Sequence, residues 1–302
     1  MISVERYSAF NVNSIGLKRA PFPLSFSLRE AEGSWLVGAT AAQAGELVDL
    51  LAAAANERIV VAALDTNSFL HENHQQWLPS LIAAEQGVDC TVHPLGDGEE
   101  LLLLDRSSLP TFFDGSWSPY ELSLVDAPAN LTPEQLDHLA LTVATTDLDR
   151  PVLPLLDGST LRFSGHDDCY VSLETTDPAL PSAVLVRLLA LMAGSALTDG
   201  QDSAPVRVPE PDRALAERLI ATAPHWAGTL ATASTTEVAL ALSPLPRPWR
   251  LTDPRPEHPA CTATLDLLTG RWTLTPGVGS RRGRLPTPQP AGEEGRSGLP
   301  LT

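Results

Sequence analysis

Leu24-Ser-Phe-Ser-Leu28, the polar run Arg29–Gly33, Ser34-Trp-Leu-Val37 and the alanine-rich stretch near Ala41–Ala55 decide how this chain is read. The first and third pieces alternate apolar and polar residues, as strands with one buried face do. The fourth switches to helical spacing. A second stretch repeats the pattern: Leu161-Arg-Phe-Ser164, a polar turn at Gly165–Asp168, Cys169-Tyr-Val-Ser-Leu173, then a helix near Ser182–Leu197. Both read as a β-hairpin followed by a helix. The shared Leu-x-Phe-Ser and Trp/Tyr positions point to a duplicated unit. The expected fold class is therefore α+β, with a mixed or antiparallel sheet against packed helices.

Working outward, Arg58–Leu64 reads as a buried strand, and Glu72–Gln86 as a helix interrupted at Pro79. Val88–His93, Glu100–Leu104 and Tyr120–Val125 read as further strands. Thr132 and Pro133 supply a cap and a first helical residue. Beyond Leu197, Thr198–Pro211 reads as a polar linker and Asp212–Thr222 as a short helix. Glu237–Leu242 reads as a strand, and Thr262–Leu267 with Arg271–Leu274 as a hairpin turned at Leu268-Thr-Gly270. Three regions are expected: an acidic α+β domain over 1–200, a smaller proline-rich region over 201–276, and a disordered tail over 277–302. The tail has almost no large apolar side chains to offset its ordering entropy.

Charge follows the same division. Residues 1–200 hold 27 Asp and Glu against 9 Lys and Arg, while residues 201–302 hold 10 against 11. Of 27 prolines, 15 fall in that last part. The acidic front disfavours nucleic-acid backbones and anionic membranes and favours a basic protein partner. Lys18 is the sole lysine, a bias that carries no function. Cys90, Cys169 and Cys261 are far apart and odd in number, which argues against a disulfide framework. The start, Met1 to Tyr7, lacks the apolar core of a signal peptide, and Arg187 interrupts the apolar run Leu180–Leu197. The expectation is a cytoplasmic protein. The helix at 182–197 is apolar nearly all round, so it is either a core helix or the contact of a homo-oligomer.

Candidate chemistry is sparse. Asp65, in Leu64-Asp-Thr-Asn67, follows the buried strand, and Thr145-Thr-Asp-Leu-Asp149 adds Asp147 and Asp149. These two short segments resemble fragments of PIN-domain nucleases. The resemblance implies a carboxylate site of Asp65, Asp147 and Asp149, with Glu99 or Glu100 as a fourth, holding Mg²⁺ or Mn²⁺ for RNA cleavage. His166, Asp168 and Cys169 are dense enough for a metal or a Cys–His pair, but they fall where a hairpin turn is expected. His71 and His74 share a helical face without a third ligand. No phosphate-binding glycine loop, dinucleotide fingerprint or Gly-x-Ser-x-Gly elbow occurs in the sequence. The leading expectation is a non-catalytic interaction protein of adaptor, immunity or chaperone-like type. The alternative is the metal-dependent PIN-like nuclease.

Overall fold

The computed structural model describes residues 24–40, 44–63, 79–96, 99–113, 122–145, 150–166, 170–197, 206–248 and 259–277. The first hairpin pairs β1 (Leu24–Ala31) with β2 (Ser34–Thr40). Its turn is two residues long, Glu32 and Gly33, at φ 53° and 83°. Positive φ at both positions matches the right-handed twist of the flanking strands. The chain then forms α1 (Ala44–Ala54), β3 (Arg58–Ala63), α2 (Pro79–Glu85), β4 (Thr91–Gly96) and β5 (Glu99–Asp105). The short α3 (Leu109–Phe112), β6 (Leu122–Ala127) and α4 (Pro133–Thr145) follow.

The second hairpin is β7 (Leu161–His166) with β8 (Tyr170–Thr175), followed by α5 (Leu180–Ala196) and α6 (Arg213–Thr222). The last strands are β9 (His225–Ala233), β10 (Glu237–Pro244), β11 (Cys261–Asp266) and β12 (Arg271–Pro276). Together the described strands make one twelve-stranded sheet in the order β12-β11-β10-β9-β1-β2-β8-β7-β6-β3-β5-β4. Every neighbouring pair is antiparallel.

The two hairpins meet at the middle of the sheet, where β2 pairs with β8, and six strands lie to each side. Each hairpin is flanked by the strands that follow the other one: β1 pairs with β9, and β7 pairs with β6. The change of composition near residue 200 is therefore not a boundary in the sheet. Strands from either side of it share one set of ladders and one core.

Alternation along the strands fills two layers. On one face, Phe26, Val37, Ile59, Val61, Phe163 and Leu173 pack with residues of α1, α5 and α6. On the other, Val60, Ala62, Leu101 and Val125 pack beneath Leu136, Leu139, Ala140 and Val143 of α4. This period of two is the signature of a sheet covered on both sides. The start of α4 is as the sequence predicts: the Thr132 amide donates to Gln135 Oε1 at 2.8 Å, and the Gln135 amide donates to Thr132 Oγ1 at 3.3 Å. That reciprocal pair satisfies two amides that the helix itself cannot.

Helix α5 is a core helix. Thirteen of its seventeen residues are buried, among them Leu185, Leu188, Leu189 and Met192. Its partly exposed positions, Ala183, Arg187, Leu191 and Ser195, fall four residues apart on one stripe. Arg187 on that stripe pairs with Glu210 and lies 4.0 Å from Asp49. Enclosure within a single chain accounts for the apolar character that the sequence left open to an oligomer contact. No helix among the described residues is long and apolar enough to cross a membrane. The tail read as disordered lies, from residue 278 on, outside the described residues.

Candidate functional site

The acidic half of the sheet ends at β4, and charge concentrates there. Pro79–Asp105, which spans α2, β4 and β5, carries six carboxylates and no lysine or arginine. Glu85, Asp89 and Glu99 are exposed on it. Glu134 and Asp137 of the neighbouring α4 are exposed as well. Asp137 is tied to the edge strand, its Oδ1 2.9 Å from His93 Nε2. Helix α2 ends on Glu85 with no basic residue in its last turn. That sign is opposite to the one a helix carboxyl end favours, so helix stability does not explain this carboxylate. The field reaches Cys90, whose thiol is raised above its ordinary value by partial burial and then by Glu100 and Asp89.

A second polar group lies inside the fold, on the face that α4 covers. Arg162 of β7 and Glu174 of β8 stand directly opposite each other, 4% and 2% exposed. Glu174 Oε1 accepts the Ser34 hydroxyl at 2.8 Å and the Leu153 amide at 3.1 Å, and its Oε2 accepts the Val152 amide at 2.7 Å. Burial pulls the Arg162 guanidinium below its usual range, while the Glu174 charge holds it up. Arg162 Nε has no hydrogen-bond partner.

Nearby, Asp126 is 1% exposed. Its Oδ1 accepts the amides of Thr160 and Leu161 at 2.6 and 2.7 Å, and its Oδ2 accepts the Asn56 amide at 2.9 Å and the Thr160 hydroxyl at 2.5 Å. Ser123 and Ser164 join across the β6–β7 pair at 2.6 Å. These groups pin the segment 150–161 over the second core. They hold one another and leave no free functional group except Arg162 Nε. Sequence reasoning missed them, because alternation assigns Arg162 and Glu174 to the face away from Phe163, which a bare hairpin would show to solvent. The available signal was their opposite charge at mirrored places in the hairpin.

Most of the residues singled out from sequence lie outside the described residues: Asp65, Asp147, Asp149, His71, His74, Asp168 and Cys169. The strand before Asp65 is β3, and both its neighbours, β5 and β6, run antiparallel to it. It therefore does not contribute to a row of aligned carboxyl ends, where open α/β sheets bind ligands. Glu100 accepts the Ser80 amide at 2.8 Å and so caps the start of α2, and Glu99 is exposed. His166 pairs with Tyr170 as the last residue of β7. Among the described residues, no group of three or more His, Cys, Asp or Glu could hold a metal ion. Burial pushes the Cys261 thiol up to about 11, so it stays protonated at neutral pH.

No protein-family model matches the chain, and no curated protein or solved structure matches it either.

One titration is expected from the sheet. His225 opens β9 opposite Ser27, its Nδ1 is buried without a partner, and burial lowers its pKa. The folded state thus prefers the neutral ring. Its contribution to stability is complete above the ordinary histidine value of about 6.5 and is lost as the pH falls toward the lowered folded value. Urea midpoints at pH 7.5 and pH 5.5 should differ more for the native chain than for His225→Gln. Equal differences would rule out this source of acid sensitivity.

Proposed function

We propose that this protein is a non-catalytic, cytoplasmic interaction protein that binds a basic protein partner at the acidic end of its sheet. The observation that carries the reading is the run Pro79–Asp105, six carboxylates without one lysine or arginine, with Glu85 set against its own helix. Natural surfaces mix the two signs unless a field is useful. Complementary charge would speed and orient encounter more than it would add raw affinity, so binding weakens with salt. We further infer that the two hairpin–helix units arose by duplication. Their shared sequence pattern and their mirrored places about the β2–β8 pair support this. The two sheet ends would then have diverged, one acidic and one neutral.

The test is recovery of the tagged full chain from native lysate at low and at moderate salt, read by mass spectrometry. It is repeated with the triple variant Glu85→Gln/Asp89→Asn/Glu99→Gln. A stoichiometric basic protein should be captured, be shed as salt rises, and be lost from the variant. Capture that is indifferent both to salt and to the three substitutions would refute the acidic-surface reading.

A further inference from the structure

The two edges of the sheet are treated differently. Strand β4 is blunted: Pro94 removes a backbone donor, and the β4–β5 register shifts between Pro94 and Gly96. Strand β12 has neither device. Its register with β11 runs unbroken from Cys261↔Pro276 to Asp266↔Arg271, it contains no lysine, and its proline comes last. Among the described residues no strand pairs with its outer side. Arg271, Thr273 and Thr275 are exposed on one face, and Trp272 and Leu274 are half-buried on the other. Over Arg271–Thr275 this edge has neither a proline nor a register break, and such an edge is a template for another strand.

We propose that β12 pairs antiparallel with β12 of a second copy of this chain, about a two-fold axis at Thr273. Opposed residues in a ladder must share a face, so only even registers are allowed. The register centred on Thr273 uses five residues of each strand. It places Thr273 opposite Thr273 and Arg271 opposite Thr275 on one face, with Trp272 opposite Leu274 on the other. Threonine pairs and aromatic–aliphatic pairs are favourable cross-strand contacts, and no like charges meet. Shifting the axis to Trp272 would draw in Gly270, which is committed to the turn at φ 68°. Shifting it to Leu274 would leave Arg271 unused and bring in Pro276, which has no amide to donate.

Charge selects the occupant. Two copies of a chain with net charge −17 repel over most of their surface. The region that supplies β9–β12 is the neutral one, with 10 acidic and 11 basic residues over 201–302. A second copy therefore meets least repulsion at β12 and most at β4. The dimer leaves the acidic end at both extremities of a continuous sheet. Edge pairing alone buries less than a standard interface, so the dimer should be weak and concentration-dependent.

Sedimentation velocity of the full chain over roughly 1–200 µM should show the mass rising toward twice the monomer. Thr273→Lys sets two ammonium groups opposite each other at the axis, on an exposed position. It should abolish the rise while the urea midpoint is unchanged. Thr273→Cys should form a disulfide-linked dimer under mild oxidant well above the level of the native chain with its own three cysteines. That readout decides the matter even if Thr273→Lys perturbs the fold. A native chain that stays monomeric throughout, or a dimer that ignores Thr273→Lys while Thr273→Cys fails to cross-link, overturns the proposal.

Discussion

Glu174→Ala should cost about 3–5 kcal/mol of folding stability, because it removes a buried carboxylate from the donors around it and from the buried guanidinium opposite. The substitution removes three hydrogen bonds, from the Ser34 hydroxyl and the amides of Val152 and Leu153. It also leaves the Arg162 charge without the carboxylate that sustains it inside the sheet. The two amides belong to the segment that seals the second core, where Val152 and Leu156 pack. Unpaired in that setting, each costs on the order of 1–3 kcal/mol unless the segment lifts to find water. Lifting it would uncover apolar surface, so neither escape is cheap. For a domain whose whole stability is about 5–15 kcal/mol, the loss is severe. The double variant Arg162→Met/Glu174→Leu removes both charges and should recover only the electrostatic part of the deficit, because the amides of Val152 and Leu153 stay without an acceptor. Urea unfolding of the two single variants and the double one gives the coupling. A Glu174→Ala cost under about 1 kcal/mol would mean that the pair is hydrated rather than enclosed.

That pair also marks where the sequence stops being readable. The hairpins were legible because Leu24-Ser-Phe-Ser and Leu161-Arg-Phe-Ser carry the period of two openly, but the first turn is narrower than the polar run Arg29–Gly33 implies: β1 continues to Ala31 and only Glu32 and Gly33 turn. The start of α4 was legible because Thr132 and Pro133 state it. Strand β9 was not. His225-Trp-Ala-Gly-Thr-Leu-Ala-Thr-Ala233 is rich in small residues of low strand propensity, and three consecutive residues, Trp226 to Gly228, are buried, which erases alternation. Strand order was hidden for a different reason. Nothing local in β1 says that its second neighbour comes two hundred residues later, because pairing is decided by how the hairpins share faces. At the candidate surface, the carboxylates of 79–105 were visible as a composition. Their gathering at one sheet end, and the guarding of β4 but not β12, needed the topology.

Gly194→Ala tests the other joint that composition concealed. Alanine in place of a helical glycine ordinarily stabilises by about 1 kcal/mol. Here Val206, within the stretch read as a linker, crosses the last turn of α5 backbone against backbone: its amide donates to the Gly194 carbonyl at 3.3 Å, and a Cβ on residue 194 would lie 2.0 Å from its carbonyl oxygen. No rotamer change relieves a clash with a main-chain oxygen, so residues 206–211 must move. Those residues are fastened on both sides. Glu210 holds Arg187 of α5, and the Pro209 carbonyl accepts the Trp272 indole of β12 at 2.7 Å. Displacing them strains the tie between the central helix and the last strand. Overpacking of this kind costs about 1–3 kcal/mol or more, which outweighs the helical gain and turns the sign of the substitution. The expected result is a lower urea midpoint, with faster proteolytic cleavage on the amino-terminal side of Val206. Ser195→Ala, one residue away, removes a buried hydroxyl that has no hydrogen-bond partner and so should not lower the midpoint. A Gly194→Ala chain more stable than the native one would show that the crossing is looser than the contact at Val206 requires. The edge strand would then be anchored by its ladder with β11 alone.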